Sequence, residues 1–403
     1  MTKRILLYYT HKEDLGHSIR ILNVIQFLKK RYKNQVEIFV FQGGKIQSFL
    51  KIPPDVHWFN LPHSFYSRAH FRNTTEIPPP SIIAARIKYM TSKIKKVKPH
   101  VFINDFFPFG RLECKYELLP VIKELKHRKT KIYASIAYPY FISNPSTFLP
   151  FCNLYDNIFI HTPENIDPKY FYRLIEREGH SSKQSYHYVF NERLREKIIY
   201  TGYIAPFNIE KTNRNLIRRK FNAQNKILVV VSRGGGAFYP KIITHSILAK
   251  KYLDNKYVLL VLAGPSTSKE EMKLFKKCFR EVKYKGVYLK KYTNDFYKIL
   301  QAADISVSTS GYNTSIELLY LQKKSILIPF IGYNKRSIHI EQLCHAQILR
   351  DKINSVILDY NKLSPQLISL TLQKKHKKNN GNNRIEKSWF EGARIFSNII
   401  MGR

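Results

Sequence analysis

The sequence predicts an α/β fold of two doubly wound, Rossmann-like domains, and three observations carry that prediction. Short apolar runs rich in Val, Ile, Leu and Tyr alternate with helical periodicity along the chain. The runs are apolar throughout rather than on every second residue, the pattern of parallel strands covered on both faces. The rhythm comes in two blocks of similar length, and 403 residues accommodate two domains at about 100–200 residues each.

In the first block, strands are predicted at 4–10, 36–41, 56–61, 101–105, 131–137, 157–161 and 197–202. Helices are predicted at 18–31, 82–96 and 113–126, where apolar residues recur every three or four positions. The second block repeats the pattern with strands at 226–232, 257–263, 286–289, 304–309, 325–329 and 355–358. Its helices fall at 240–253, 269–282, 294–303, 314–322 and 336–349. Pro206 and the polar residues after it put the boundary within 205–215. The domains are therefore 1–205 and 206–380, followed by a C-terminal helical segment, 381–403, with Trp389, Phe390, Ile395 and Ile399 on or near one face. Residues 64–80, with three consecutive prolines, read as an exposed loop, and the basic, polar run 374–383 as a flexible connection.

Lys and Arg number 68 against 29 Asp and Glu, a net charge of +39, while 44% of residues are hydrophobic. That apolar share excludes a disordered basic tail. The charge points to a polyanionic partner: nucleic acid, an anionic membrane surface or a phosphate-bearing substrate. An AT-rich genome would also raise Lys, Asn, Ile and Tyr, but would not thin out the acids. No helix-turn-helix, RRM or zinc-finger pattern is present, which weighs against specific nucleic-acid binding. Cys114, Cys152, Cys278 and Cys344 lie far apart, with no C-x-x-C pair, so neither a zinc site nor a disulfide framework is expected. The N-terminal apolar run is too short for a signal-peptide core, and no run approaches the roughly 18 apolar residues of a spanning helix. The expectation is a cytoplasmic protein, with scope for peripheral membrane attachment.

In open α/β sheets ligands bind where strands turn into helices at their carboxyl ends. The first such turn, His11-Lys-Glu-Asp-Leu-Gly16-His17-Ser18, offers Gly16 for a tight turn, Ser18 as a cap and His17 at a helix N-terminus. The helix dipole disfavours imidazolium there, so His17 is a candidate general base, with a capping or packing histidine as the alternative. Ser232-Arg233-Gly234-Gly235-Gly236 leaves an apolar strand and can bring backbone N–H groups to a diphosphate. It matches neither the Walker loop nor G-x-G-x-x-G, and a plain flexible turn is the alternative. Ser310-Gly311-Tyr312-Asn313-Thr314 opens another helix. Thr314 and Glu317 fit a capping box, in competition with Glu317 accepting hydrogen bonds from a ribose diol. Gln342 can donate to and accept from sugar hydroxyls. Asp105, ending a strand before Pro108, Gly110 and Arg111, reads as a cleft wall. Arg111 is there either to bind phosphate or to anchor the turn.

Taken in order, YYTHKEDLGHSIR, NDFFPFGRLECKYELLP, YTGYIAPF, VVSRGGGAF, LQAADISVSTSGYNTSIELL and HIEQLCHA resemble the GT-B glycosyltransferases of the MurG-like group, including a bacterial family of predicted glycosyltransferases. The resemblance spans nearly the whole chain. It implies the GT-B fold with a deep interdomain cleft, an acceptor-binding first domain and a nucleotide-sugar-binding second one. It also implies that the C-terminal helix returns to the first domain. By that resemblance His17 is the base. Ser232, Arg233 and Gly234–Gly236 take the donor diphosphate, with Ser310, Gly311, Asn313 and Thr314 beside them. Glu317 holds the ribose, Gln342 the sugar, and the backbone near 286–289 the base, usually uracil. Gly16, Asp105 and Arg111 fall on the acceptor side.

The implied reaction is inverting and metal-independent, from a UDP-type sugar to a hydroxyl of a cell-envelope or lipid-linked acceptor. No cofactor is expected. The expected partners are the nucleotide sugar, a glycan or lipid-phosphate acceptor and an anionic membrane surface. A nucleotide-sugar hydrolase or 2-epimerase is the alternative on the same scaffold, and a polyanion-binding protein the alternative of another class. Two features depart from the family. The first loop keeps only Leu15-Gly16-His17 of a longer glycine-rich form, and Ser135-Ile-Ala-Tyr-Pro139 lacks an Arg-Asp pair that relatives carry. Both departures bear on the acceptor.

Overall fold

The computed structural model describes residues 2–10, 15–44, 50–62, 79–137, 145–166, 170, 194–206, 212–236, 239–283, 286–330, 341–377 and 385–403. The chain forms two compact units. One comprises Met1–Lys12, His17–Phe207 and Lys387–Arg403, the other Glu13–Gly16 and Asn208–Glu386.

The first unit is built on seven parallel strands: β1 (Lys3–Thr10), β2 (Val36–Gly43), β3 (Val56–Asn60), β4 (Val101–Asp105), β5 (Lys131–Ile136), β6 (Asn157–Ile160) and β7 (Ile198–Tyr200). They lie in the order β3-β2-β1-β4-β5-β6-β7. Successive residues of β1 point to opposite faces, and both faces are covered. Leu6 and Tyr8 join a core with Met90, Ile94, Leu118 and Ile122, from helices α2 (Pro80–Val97) and α3 (Lys115–His127). Ile5, Leu7 and Tyr9 join the other core with Ile21, Val24, Ile25 and Leu28 of α1 (Gly16–Tyr32), whose spacing gives one apolar stripe. Phe396 and Ile400 complete that second core from the C-terminal helix Gly392–Met401.

This helix is fixed by a close backbone approach. Tyr203 N donates to Trp389 O at 2.6 Å, and Gly392 N to Tyr203 O at 3.1 Å. A Cβ on Gly392 would lie 2.3 Å from Gly202 O, and Gly202 has φ +77, so both positions require glycine.

The second unit has six parallel strands: β8 (Ile227–Ser232), β9 (Tyr257–Leu262), β10 (Val287–Lys290), β11 (Ile305–Ser308), β12 (Ser325–Leu327) and β13 (Val356–Ile357). Their order is β10-β9-β8-β11-β12-β13. Its helices are α5 (Arg214–Arg219), α6 (Pro240–Ala249), α7 (Lys269–Glu281), α8 (Phe296–Ala302), α9 (Tyr312–Tyr320), α10 (Glu341–Ile353) and α11 (Pro365–Lys377), α4 (Pro145–Cys152) belonging to the first unit. Val229, Val231, Leu259 and Val261 face α6, α7 and α11, while Leu228, Val230, Val258 and Leu260 face α5 and α8.

The two doubly wound sheets are those expected from the apolar runs. Three helices go beyond the sequence reading: α4, α5 and α11. Of the expected flexible connection 374–383, residues 374–377 are the last turn of α11. Ile368 and Leu372 anchor that helix in the core, and Lys375 Nζ bonds Asn354 O. Residues 378–383, most of the expected loop 64–80 and the start of the expected helix 336–349 lie outside the described residues.

Candidate active site

In both sheets the strand order reverses at one point, between β1 and β4 in the first and between β8 and β11 in the second. The chain leaves those neighbouring strands in opposite directions, which opens a crevice at their carboxyl ends. The sequence-predicted loops fall on these two points.

At the first, β1 leads into α1, and β4 ends on Asp105. Residues 11–14 lie outside the described part. Gly16 begins α1, and a Cβ there would meet nothing within 4 Å, so room rather than packing distinguishes the position. His17 Nδ1 donates to Asp105 Oδ2, and Arg20 Nη2 donates to Asp105 Oδ1. His17 and Arg20 are three residues apart on α1, so both reach the same carboxylate. His17 retains 13% side-chain exposure against 4% for Asp105 and Arg20. With Nδ1–H committed to the carboxylate, Nε2 is the nitrogen left to accept a proton. The Phe106 ring meets the imidazole edge to face at 5.1 Å. Burial alone would raise the Asp105 carboxyl, but Arg20 and His17 outweigh it and hold the group well below the ordinary carboxylate range.

Behind this cluster, His161 lies between Ser135 Oγ and Thr201 Oγ1, each at 2.8 Å. Thr201 donates its hydroxyl proton to Gly202 O at 2.9 Å. Thr201 therefore accepts from His161 Nδ1–H, and Nε2 accepts from Ser135. Burial lowers the His161 pKa to about 3, so the ring is neutral.

Ser18 is a correction: it lies inside α1 and bonds Tyr9 Oη at 3.2 Å rather than capping the helix. Arg111 has φ +56 and heads the 3-10 turn Leu112–Cys114, its carbonyl accepting from Cys114 N.

At the second reversal point, β8 ends on Ser232 and the glycine turn follows. Gly234 has φ +77, and its N–H donates to Ser232 Oγ at 3.1 Å. Ser266 Oγ donates to Gly235 O at 2.8 Å. Arg233 does not present its side chain as a phosphate contact. Its guanidinium is buried, donating to Ala263 O at 2.6 Å, to Thr267 Oγ1 at 3.0 Å and to both Glu271 oxygens at 2.7 and 2.9 Å. Those bonds fasten the turn to the loop after β9 and to α7. Glu271 is also half of a capping box with Ser268, so one carboxylate fixes both the helix start and the arginine.

After β11, Gly311 occupies the N-cap position of α9 with no side-chain cap, and a Cβ there would meet nothing within 4 Å. Asn313 and Thr314 follow, half-buried, in the first turn. The capping-box expectation for Thr314 and Glu317 is overturned, because α9 starts at Tyr312 and Glu317 is its sixth residue. Glu317 is buried, and its Oε2 has no hydrogen-bond partner among the described residues. Burial raises the carboxyl pKa to about 8. Ser310 Oγ donates to Gln342 O, and His345 Nδ1 donates to Ser310 O at 3.1 Å. Gln342 Oε1 accepts from Phe330 N at 2.8 Å, leaving its amide N–H groups as donors.

The sequence reading missed Arg20, His161, Glu271 and His345. Arg20 carries one signal, a charge beside the apolar stripe of α1. Glu271 carries another, its S-x-x-E spacing from Ser268; its bond to Arg233 and the places of His161 and His345 depend on contacts between distant segments. Among the described residues no group of three or more His, Cys, Asp or Glu could hold a metal ion.

Residues 226–395 match the glycosyltransferase family 28 C-terminal domain. A UDP-N-acetylglucosamine--N-acetylmuramyl-(pentapeptide) pyrophosphoryl-undecaprenol N-acetylglucosamine transferase of Prochlorococcus marinus (strain MIT 9312) is 35% identical over 104 residues, 25% of this chain and 28% of that protein. A transferase of the same description, numbered 3, from Bacillus thuringiensis (strain Al Hakam) is 27% identical over 179 residues, 42% of this chain and 49% of that one. The match thus spans between about a quarter and a half of these relatives. Among solved structures, Acinetobacter baumannii MurG superposes with a TM-score of 0.57 at 10% identity, covering 100% of both chains. Medicago truncatula UGT71G1, complexed with UDP-glucose, gives 0.61 at 14%, covering 100% of this chain and 99% of that one. The UDP-GlcNAc 2-epimerase of Neisseria meningitidis gives 0.56 at 12%, covering 99% and 100%. At these identities the superpositions show the fold alone: the chain has the two-domain α/β fold, GT-B, that these structures share.

Proposed function

We propose that this MurG-like GT-B chain, whose second half matches the family 28 C-terminal domain, is a glycosyltransferase that moves a sugar from a nucleoside diphosphate to a hydroxyl acceptor. The observation that carries the reading is Glu317, a buried carboxylate with an unpartnered oxygen at the reversal point of that domain. A ribose diol supplies the two O–H donors that such a group lacks. The amides of Gly235 and Gly236 and the start of α9 are the groups suited to the diphosphate, since the Gly234 amide is engaged by Ser232. Gln342 offers its amide to the sugar.

On the acceptor side His17 Nε2 takes the hydroxyl proton as the acceptor oxygen attacks the anomeric carbon. A C–O bond forms with inversion, and the bond to the diphosphate breaks with its electron pair leaving on the phosphate oxygen. Asp105 keeps Nδ1–H in place and stabilises the imidazolium that results. Backbone dipoles and basic side chains meet the leaving group's charge, so the reading includes no metal. The named relatives direct the donor proposal to a UDP-sugar and the acceptor proposal to a lipid-linked diphosphate. Lys88, Lys95, Lys96 and Lys98 are exposed along and just after α2, and we assign them to an anionic membrane surface on the cytoplasmic side. No helix among the described residues is long and apolar enough to cross a membrane.

The test is a panel of nucleotide sugars assayed for nucleotide release with and without lipid extract. Acceptor-dependent release that His17→Ala abolishes is the expected result. Release without acceptor makes the protein a hydrolase, and an isomerised donor with no release makes it an epimerase. If no nucleotide sugar raises the melting temperature, the donor reading fails, because a ligand of the native state must stabilise it.

A further inference from the structure

Arg20 has no part in the reaction just described, yet it is a charged side chain held at 4% exposure on the carboxylate that serves His17. Burying a guanidinium is costly unless it is paired and hydrogen-bonded, so its location calls for a reason. The geometry supplies one. Asp105 divides its two oxygens between His17 Nδ1 and Arg20 Nη2. A buried carboxylate facing an imidazole alone draws a proton onto the ring, and an imidazolium cannot act as a base. With Arg20 on the other oxygen, the pair behind His17 is neutral overall. Among the described residues, the other ionisable groups around the cluster do not replace that charge. Tyr9, from β1, is held neutral by burial, its phenol raised far above its ordinary value. His161, from the end of β6, is kept neutral by burial.

We infer that Arg20 is a positioning residue that sets the proton affinity of His17 through Asp105. The inference rests on reading His17 as the base, but it can be tested without any turnover. Histidine-labelled protein is titrated by NMR, and the His17 signal, one of 14 histidines, is identified by its loss in His17→Gln. Arg20→Gln keeps a hydrogen-bond donor but removes the charge, and should move the His17 titration upward by about one unit or more. Arg20→Lys keeps the charge and should restore it towards the parent value. Asp105→Asn, which leaves the arginine facing the ring without its anion, should move it downward.

A folded Arg20→Gln with an unmoved His17 titration overturns the inference, as does an Arg20→Lys that shifts as far as Arg20→Gln. If Arg20→Gln does not fold, the Asp105→Asn shift and the Arg20/Asp105 double neutral variant decide, the latter expected near the parent value. Where transfer is detected, the acid limb of kcat/KM should move with the NMR value in each variant. A parent protein with no transferase activity and the expected NMR shifts refutes the proposed function and leaves this inference standing.

Discussion

The two reversal points share a strand order and hold opposite chemistry. At the first, Asp105 is buried with two partners and ionised, its charge balanced inside the protein. At the second, Glu317 is buried with one oxygen unpartnered among the described residues, and its pKa rises to about 8. One carboxylate is satisfied and holds another side chain in place. The other is unsatisfied, a state that a folded protein tolerates where a ligand completes it. On the function proposed above, the contrast sets a proton-transfer site against a binding site, on one architecture used twice.

The largest effect expected on breaking the contrast is chemical. His17→Ala should lower transfer by about 10²–10⁴-fold while leaving the donor-induced rise in melting temperature intact. Next comes stability. Asp105→Ala breaks the buried pair with Arg20 and removes the partner of His17, and should cost about 3–5 kcal/mol. Trp58 and Trp389, the two tryptophans of the chain, both belong to the first unit, so denaturant unfolding followed by tryptophan fluorescence reads that loss directly. Glu317→Gln should weaken donor binding by about 10–100-fold in calorimetry, with the first unit's unfolding unchanged.

The pH responses sharpen the comparison because their signs are opposite. The depressed Asp105 pKa contributes stability that is present above the ordinary carboxylate value and lost as pH falls through the depressed one, an acid-side effect. The raised Glu317 pKa contributes stability that is complete below 4.5 and lost as pH rises through about 8. Calorimetric unfolding of the ligand-free protein should therefore carry a downward slope between pH 5 and 8 that Glu317→Gln removes. Donor affinity should rise over the same interval, since ribose hydroxyls favour the ionised carboxylate. The smallest effect per residue is expected at the membrane. Binding to acidic liposomes should weaken by about 1 kcal/mol per residue as Lys88, Lys95 and Lys96 are replaced by Gln. Equal binding to neutral and acidic liposomes would return the charge excess to composition. Residues 208–386 hold 33 of the 68 basic and 12 of the 29 acidic side chains, so the excess is not concentrated in one unit.

Much of the architecture was legible because it is local. The strands are continuous apolar runs, so the turns at their carboxyl ends, and with them His17, Asp105, Gly234, Gly311 and Glu317, could be picked out as candidates. What the sequence left ambiguous is where a helix begins. Thr314 and Glu317 carry the same S/T-x-x-E spacing as Ser268 and Glu271, but only the latter is a cap. Gly311 starts α9 three residues before Thr314, which turns a surface cap into a buried carboxylate. Arg233 misled for another reason: an arginine beside a glycine turn suits an anion, and its actual partner, Glu271, lies 38 residues away. The Ser135–His161–Thr201 chain was out of reach because its members come from three strand ends and meet only once the sheet is assembled.

The glycine pair at 202 and 392 has a consequence for the order of biosynthesis. Residues 387–403 are translated after the whole of 208–386, yet they supply Phe396 and Ile400 to the face of the sheet that carries Ile5 and Leu7. The later unit is nearly continuous in sequence and can close on itself first. The earlier one must wait with the part of that face not covered by α1 still open, which makes its nascent state the form most in need of a chaperone.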